Sequence, residues 1–141
     1  LLPAHVRAER WLIAWMIADR EVAAVVERRV GSGFHVAEHA ALAACLYTFY
    51  AHGNEPDIGL FLASLEDEKL ERLASEIALE DPPYDERALE DCLRTVSRAF
   101  LTREIERKKE ELLRAEKAGE IWQAAQIANE IIALEKRRKE T

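Results

Sequence analysis

The chain has 141 residues, 49% apolar and 33% charged, with 20 Lys+Arg against 27 Asp+Glu. That size suits about one domain, and the net charge of −7 argues against direct binding to a phosphate backbone. The longest apolar run, Trp11 to Ala18, is eight residues, well short of the roughly 20 that a membrane span needs.

No basic segment leads into an apolar stretch as in a signal peptide. Cys45 and Cys92 each fall inside a helical apolar pattern, so both are expected to be reduced core thiols of a cytoplasmic protein. The start at Leu1 rather than Met suggests a piece of something longer.

Apolar residues recur at helical spacing and nowhere alternate as in a strand, so the expected fold is all-α. A first helix is predicted over about Val6 to Ala18, apolar all round in its second half and therefore central. A second places Val22, Val25, Val26 and Val30 on one face and stops at Gly31-Ser-Gly33. A third, about Val36 to His52, buries His39, Leu42, Ala43, Leu46, Tyr47 and Tyr50 and stops at Gly53.

Asp57 is placed to cap a short fourth helix, Ile58 to Ala63. Ser64 with Asp67 approximates a capping box for a fifth helix that uses Leu70, Leu73 and Ile77. After Asp81-Pro-Pro83 a sixth starts near Asp85 and buries Leu89, Cys92, Leu93, Val96 and Phe100. Two charged helices follow, folded back at Gly119; the first keeps only Leu101, Ile105, Leu112 and Leu113 as apolar positions. No strong breaker separates the sixth helix from the seventh.

The expected architecture is a compact bundle of about six helices, residues 1–100, followed by a projecting two-helix hairpin, residues 101–141. Charge changes with it. Residues 1–100 hold 10 Lys+Arg and 18 Asp+Glu, a net of −8; residues 101–141 hold 10 and 9, a net of +1.

The hairpin is the part expected to function. Ile121, Trp122, Ile127, Ile131, Ile132 and Leu134 face a partner helix whose middle, residues 106–111, is entirely charged. Apolar area left wet is a standing source of binding free energy, so this stripe is expected to grip another protein. Arg137 and Lys139, in the basic end Lys136-Arg-Arg-Lys139, join it as candidate contacts, although such charges also complement a helix dipole.

Catalytic signals are weak. His35-Val-Ala-Glu38-His39 fits H-x-x-E-H, the inverted zinc-protease pattern. His39, however, lies on the apolar stripe, and no third ligand is indicated. No serine sits in a G-x-S-x-G setting, and no phosphate-binding glycine loop is present. Glu66-Asp-Glu68 reads as a dipole-favoured helix start, and Trp11, Trp15, Phe34, Tyr47, Phe49 and Tyr50 read as core. No catalytic residue, cofactor or metal site is assigned.

Three ordered motifs carry a resemblance: Ala8-Glu-Arg-x-Leu12-Ile with Met16-x-x-Asp19, then Phe34-x-x-x-x-His39-x-x-Leu42, then Gly53-x-x-Pro56-Asp57. Together they resemble the helical head shared by the helicase-binding domain at the C-terminus of bacterial DnaG-type primases and the N-terminal domain of bacterial replicative helicases. The Ala-Glu-Arg opening and the basic chain end look more like the primase version, of a Gram-positive type. The resemblance implies a non-catalytic module that binds the N-terminal collar of the hexameric replicative helicase. It implies a head followed by a hairpin, and a structural role for His39. The isolated chain is then expected to be a monomer. Alternatives are the collar domain of the helicase itself, which would form rings, a small zinc hydrolase using His35, Glu38 and His39, and an unrelated helical adaptor.

Overall fold

A computed structural model describes residues 2–141. Among them every regular element is a helix: α1 (Ala4–Ala18), α2 (Arg20–Arg29), α3 (Ala37–Ala51), α4 (Ile58–Ser64), α5 (Glu68–Glu80), α6 (Glu86–Lys117) and α7 (Ile121–Glu140). None is long and apolar enough to cross a membrane. The chain divides into two compact units, one through Val96 and one from Ser97 to Thr141.

In the first unit α1 packs against α2, α3, α4 and α5. Its second half, Leu12 to Ile17, is buried on all sides, as its unbroken apolar run requires. Two buried polar side chains hold it in register. Trp15 donates its indole N–H to the Pro82 carbonyl at 3.1 Å. The Tyr50 hydroxyl donates to the carbonyls of Met16 at 2.6 Å and Ile17 at 3.1 Å, at the open end of α1.

Local caps set the helix starts. Asp19 accepts from the backbone N–H groups of Glu21 and Val22 and opens α2. Asp57 accepts from Leu60 and opens α4. Asp67 itself caps α5 by accepting from Lys69 and Leu70, so the expected capping box starting at Ser64 does not form. Ser64 ends α4, where its hydroxyl donates to the Phe61 carbonyl. Asp85 accepts from Ala88 at the start of α6. Gly31 and Gly53 take φ of 59° and 90° after α2 and α3, conformations that cost a side chain about 1–2 kcal/mol.

The sixth and seventh stretches, whose continuity the sequence leaves open, form one helix of 32 residues. No Gly or Pro lies near Phe100 and Leu101 to stop it. Cys45 and Cys92 are both free thiols. Burial pushes the Cys92 thiol up to about 11 and raises Cys45 as well, so both stay protonated and weakly nucleophilic at neutral pH.

Candidate protein-docking surface

The second unit is a helical hairpin. Its turn is closed by hydrogen bonds from Gly119 N to Glu116 O and from Glu120 N to Ala115 O, with Gly119 at φ 74°. The two arms meet along a narrow seam of Ile105, Ala115, Ile127 and Ile131, flanked by Leu112, Ala124 and Leu134. Lys108 reaches across to Glu130 at 3.4 Å, and Arg138 to the Thr102 hydroxyl at 3.3 Å. Desolvation pulls the Lys108 ammonium down, but hydrogen bonding to Glu130 and the nearby Glu111 charge outweigh it, so its pKa is raised.

This seam corrects the sequence reading at two positions. Ile127 and Ile131 are only 6% and 7% exposed, and Leu134 is half-buried. They were expected to stay uncovered because the facing helix is charged at its middle. A two-helix seam needs only one narrow row, and Ile105, Leu112 and Ala115 on α6 supply it. The long stems of Lys and Arg can cover its edges.

The apolar surface that stays wet lies on the other side of α7. Trp122 is 89% exposed and Ile121 77%, with Ile132 at 64%. Ile121, Ala125, Ile132 and Lys139 are spaced i, i+4, i+11 and i+18, which puts them on one stripe clear of the seam. Trp122, Asn129, Ala133 and Lys136 form the adjoining row, and all of these residues are exposed. Ile121 and Ile132 stand about 16 Å apart along the axis at the standard helical rise. Arg137 and Lys139 are exposed at the basic end.

The structure therefore keeps Ile121, Trp122, Arg137 and Lys139 at the surface and removes Ile127 and Ile131 from it. Trp122 also edges an open cleft of about 800 Å3 in the hairpin, lined with Lys108, Arg114, Gln126 and Glu130 among others. Leu113, half exposed on α6, was missed as a surface position. Its only sequence signal is the pair Leu112-Leu113, of which one member must face outward when a helix has a narrow apolar seam.

The H-x-x-E-H residues do not converge. His35 and Glu38 are exposed and His39 is buried. The His35 ring meets the His5 ring edge-on at 4.7 Å. His39 Nδ1 lies 2.8 Å from Oε1 of Glu9, a carboxylate that is 0% exposed. The same carboxylate accepts from the backbone N–H of Val36 at 3.2 Å and of His35, and so caps the start of α3 from α1. No group of three His, Cys, Asp or Glu able to hold a metal occurs among the described residues.

No family model matches the chain. It is 40% identical over 138 residues to a DNA primase of Geobacillus stearothermophilus, a match covering 96% of this chain and 23% of that protein. It is 44% identical over 79 residues to a DNA primase of Halalkalibacterium halodurans, covering 56% of this chain and 13% of that protein. The chain thus spans less than a quarter of the length of these relatives. Kinship at this level over nearly its whole length makes the chain homologous to a segment of the DNA primases.

Proposed function

We propose that this chain is the non-catalytic docking segment of a bacterial replicative primase, and that it binds the N-terminal collar of the hexameric replicative helicase. Docking would bring primer synthesis to the replication fork and let each enzyme modulate the other. The observation that carries this reading is the wet apolar stripe of α7, with Ile121, Trp122 and Ile132 standing clear of the seam that holds the hairpin together. A side chain as large as Trp, left almost fully in water by its own unit, contributes nothing to that unit's packing. It is the type of residue that anchors interfaces.

Around this stripe Lys136, Arg137 and Lys139 supply positive charge, which favours a partner surface with acidic residues at its edge. Residues 1–96 are acidic, which supports a partner that is protein rather than nucleic acid. The reading carries with it a bacterial cytoplasmic setting and a monomeric isolated chain. Titration calorimetry of the chain into a replicative helicase hexamer tests it. Saturable binding is the expected result, and the absence of heat at concentrations above 100 μM would refute it (a Kd weaker than about 10⁻⁴ M leaves less than roughly 6 kcal/mol of binding free energy).

A further inference from the structure

The first unit leaves an open groove of about 770 Å3 between α3, α4 and the start of α5. Ala44, Thr48 and Phe49 line it from α3, Leu60 and Ala63 from α4, and Leu65 from the loop that follows. The lining is mostly apolar, and Leu60 is half exposed. The exposed small residues Ala44 and Ala63, one on each helix, let a ligand come close to both.

Beside His52, the formally charged residues that line the groove are acidic. No Lys or Arg lines it, whereas Glu66 and Asp67 do. Asp67 is occupied as the cap of α5. Glu66 is exposed and makes no ion pair or hydrogen bond among the described residues. Rim included, residues 1–96 hold 9 Lys+Arg against 18 Asp+Glu, a net of −9.

We propose that this groove docks a short amphipathic helix from another protein, with apolar anchors at i, i+3 or i+4, and i+7 and with Lys or Arg beside them. A volume near 770 Å3 lies inside the roughly 300–1,000 Å3 range of formed ligand sites. An apolar trough between helices is the geometry that accepts the apolar face of another helix. The acidic rim selects the sign of the flanking charges. A basic segment meets Glu66 and Asp67 favourably, while an acidic one brings like charges together in a partly desolvated place. The assignment concerns the first unit and does not rest on the helicase reading of α7.

The test uses the full chain, ¹⁵N-labelled, and two synthetic helical peptides of about 14 residues, roughly four turns. Both carry Leu at the anchor positions; one has Lys and the other Glu at the flanking positions. The Lys peptide should give saturable shifts at Ala44, Thr48, Ala63 and Leu65, and the Glu peptide should bind at least about tenfold more weakly. Ala63→Trp, which fills the groove, and Glu66→Lys, which reverses its rim, should each weaken the Lys peptide by about tenfold or more. Both positions are exposed, and circular dichroism is the check that each variant remains folded. Shifts scattered over the acidic surface, equal binding of both peptides, or unchanged affinity in both variants would overturn the proposal. Concentration-dependent shifts at these residues without peptide would assign the groove to a second copy instead, and would also overturn it.

Discussion

Glu9 offers the sharpest test of how the first unit is held together. Its carboxylate is fully buried and meets three donors: the backbone N–H groups of His35 and Val36 and the ring nitrogen Nδ1 of His39. Through them α1 fixes the start of α3, whose own N-cap residue, Val36, has no side-chain oxygen to offer. Glu9→Gln keeps the volume and so creates no cavity. It converts one acceptor oxygen into an N–H₂ group. If that group replaces Oε2 it faces the His35 N–H, and if it replaces Oε1 it faces Val36 and His39. Either way at least one part-buried backbone donor loses its partner, which costs about 1–3 kcal/mol. Against a total stability of roughly 5–15 kcal/mol this is a large change. Urea denaturation followed by circular dichroism should show a lower midpoint with an unchanged slope. Amide exchange at His35 and Val36 should accelerate as well. A loss below about 0.5 kcal/mol, within the range of ordinary surface substitutions, would refute the account of Glu9 as the cap of α3.

Two further outcomes follow from packing and from burial. Ile105→Ala removes a fully buried side chain from the hairpin seam and should cost about 2–5 kcal/mol. Hydrogen exchange should accelerate across Ser97–Thr141 while core amides of α1 stay protected; uniform protection in both units would contradict the seam. Burial, reinforced by the charges of Asp19 and Glu55 and opposed by Arg20, pushes the Tyr50 phenol up to about 12 from its ordinary 10. Because the folded value is raised, the stability it contributes is complete below pH 10 and is lost as pH rises towards 12. Tyr50→Phe should therefore flatten part of the fall in Tm over that window, and an identical alkaline slope in the variant would contradict this.

Most of the fold could be read from sequence because its signals are local. The caps Asp57 and Asp85 and the stops Gly31, Gly53 and Gly119 act within a turn of where they stand. The apolar stripe of α3 names most of its buried residues, His39 included, although Tyr47 is only half-buried and Phe49 is buried off the stripe. Reading failed where two local signals competed or where a partner lay far along the chain. Ser64 and Asp67 both resemble a cap, and the backbone N–H groups of Lys69 and Leu70 go to Asp67. Glu9 and His39 stand 30 positions apart, and nothing in either neighbourhood announces their pairing. In the hairpin, apolar residues on α7 were assigned to one face when they occupy two. Angular spacing separates Ile127 and Ile131 from Ile121 and Ile132, but only the position of α6 says which row is covered.

The outer stripe of α7 is expected to bind a partner while contributing nothing to stability. The most direct measurement is calorimetry into the replicative helicase hexamer with three forms of the chain: unaltered, Trp122→Ala with Ile132→Glu, and Leu79→Glu. Leu79 is an equally exposed apolar residue on α5 and serves as the control. The paired α7 variant should melt within about 0.5 kcal/mol of the unaltered chain. It should also bind at least about 2 kcal/mol more weakly, roughly 30-fold in Kd, as for loss of an interface anchor. Leu79→Glu should bind as the unaltered chain does. Full affinity in the α7 variant, or loss of affinity in Leu79→Glu alone, would contradict the claim.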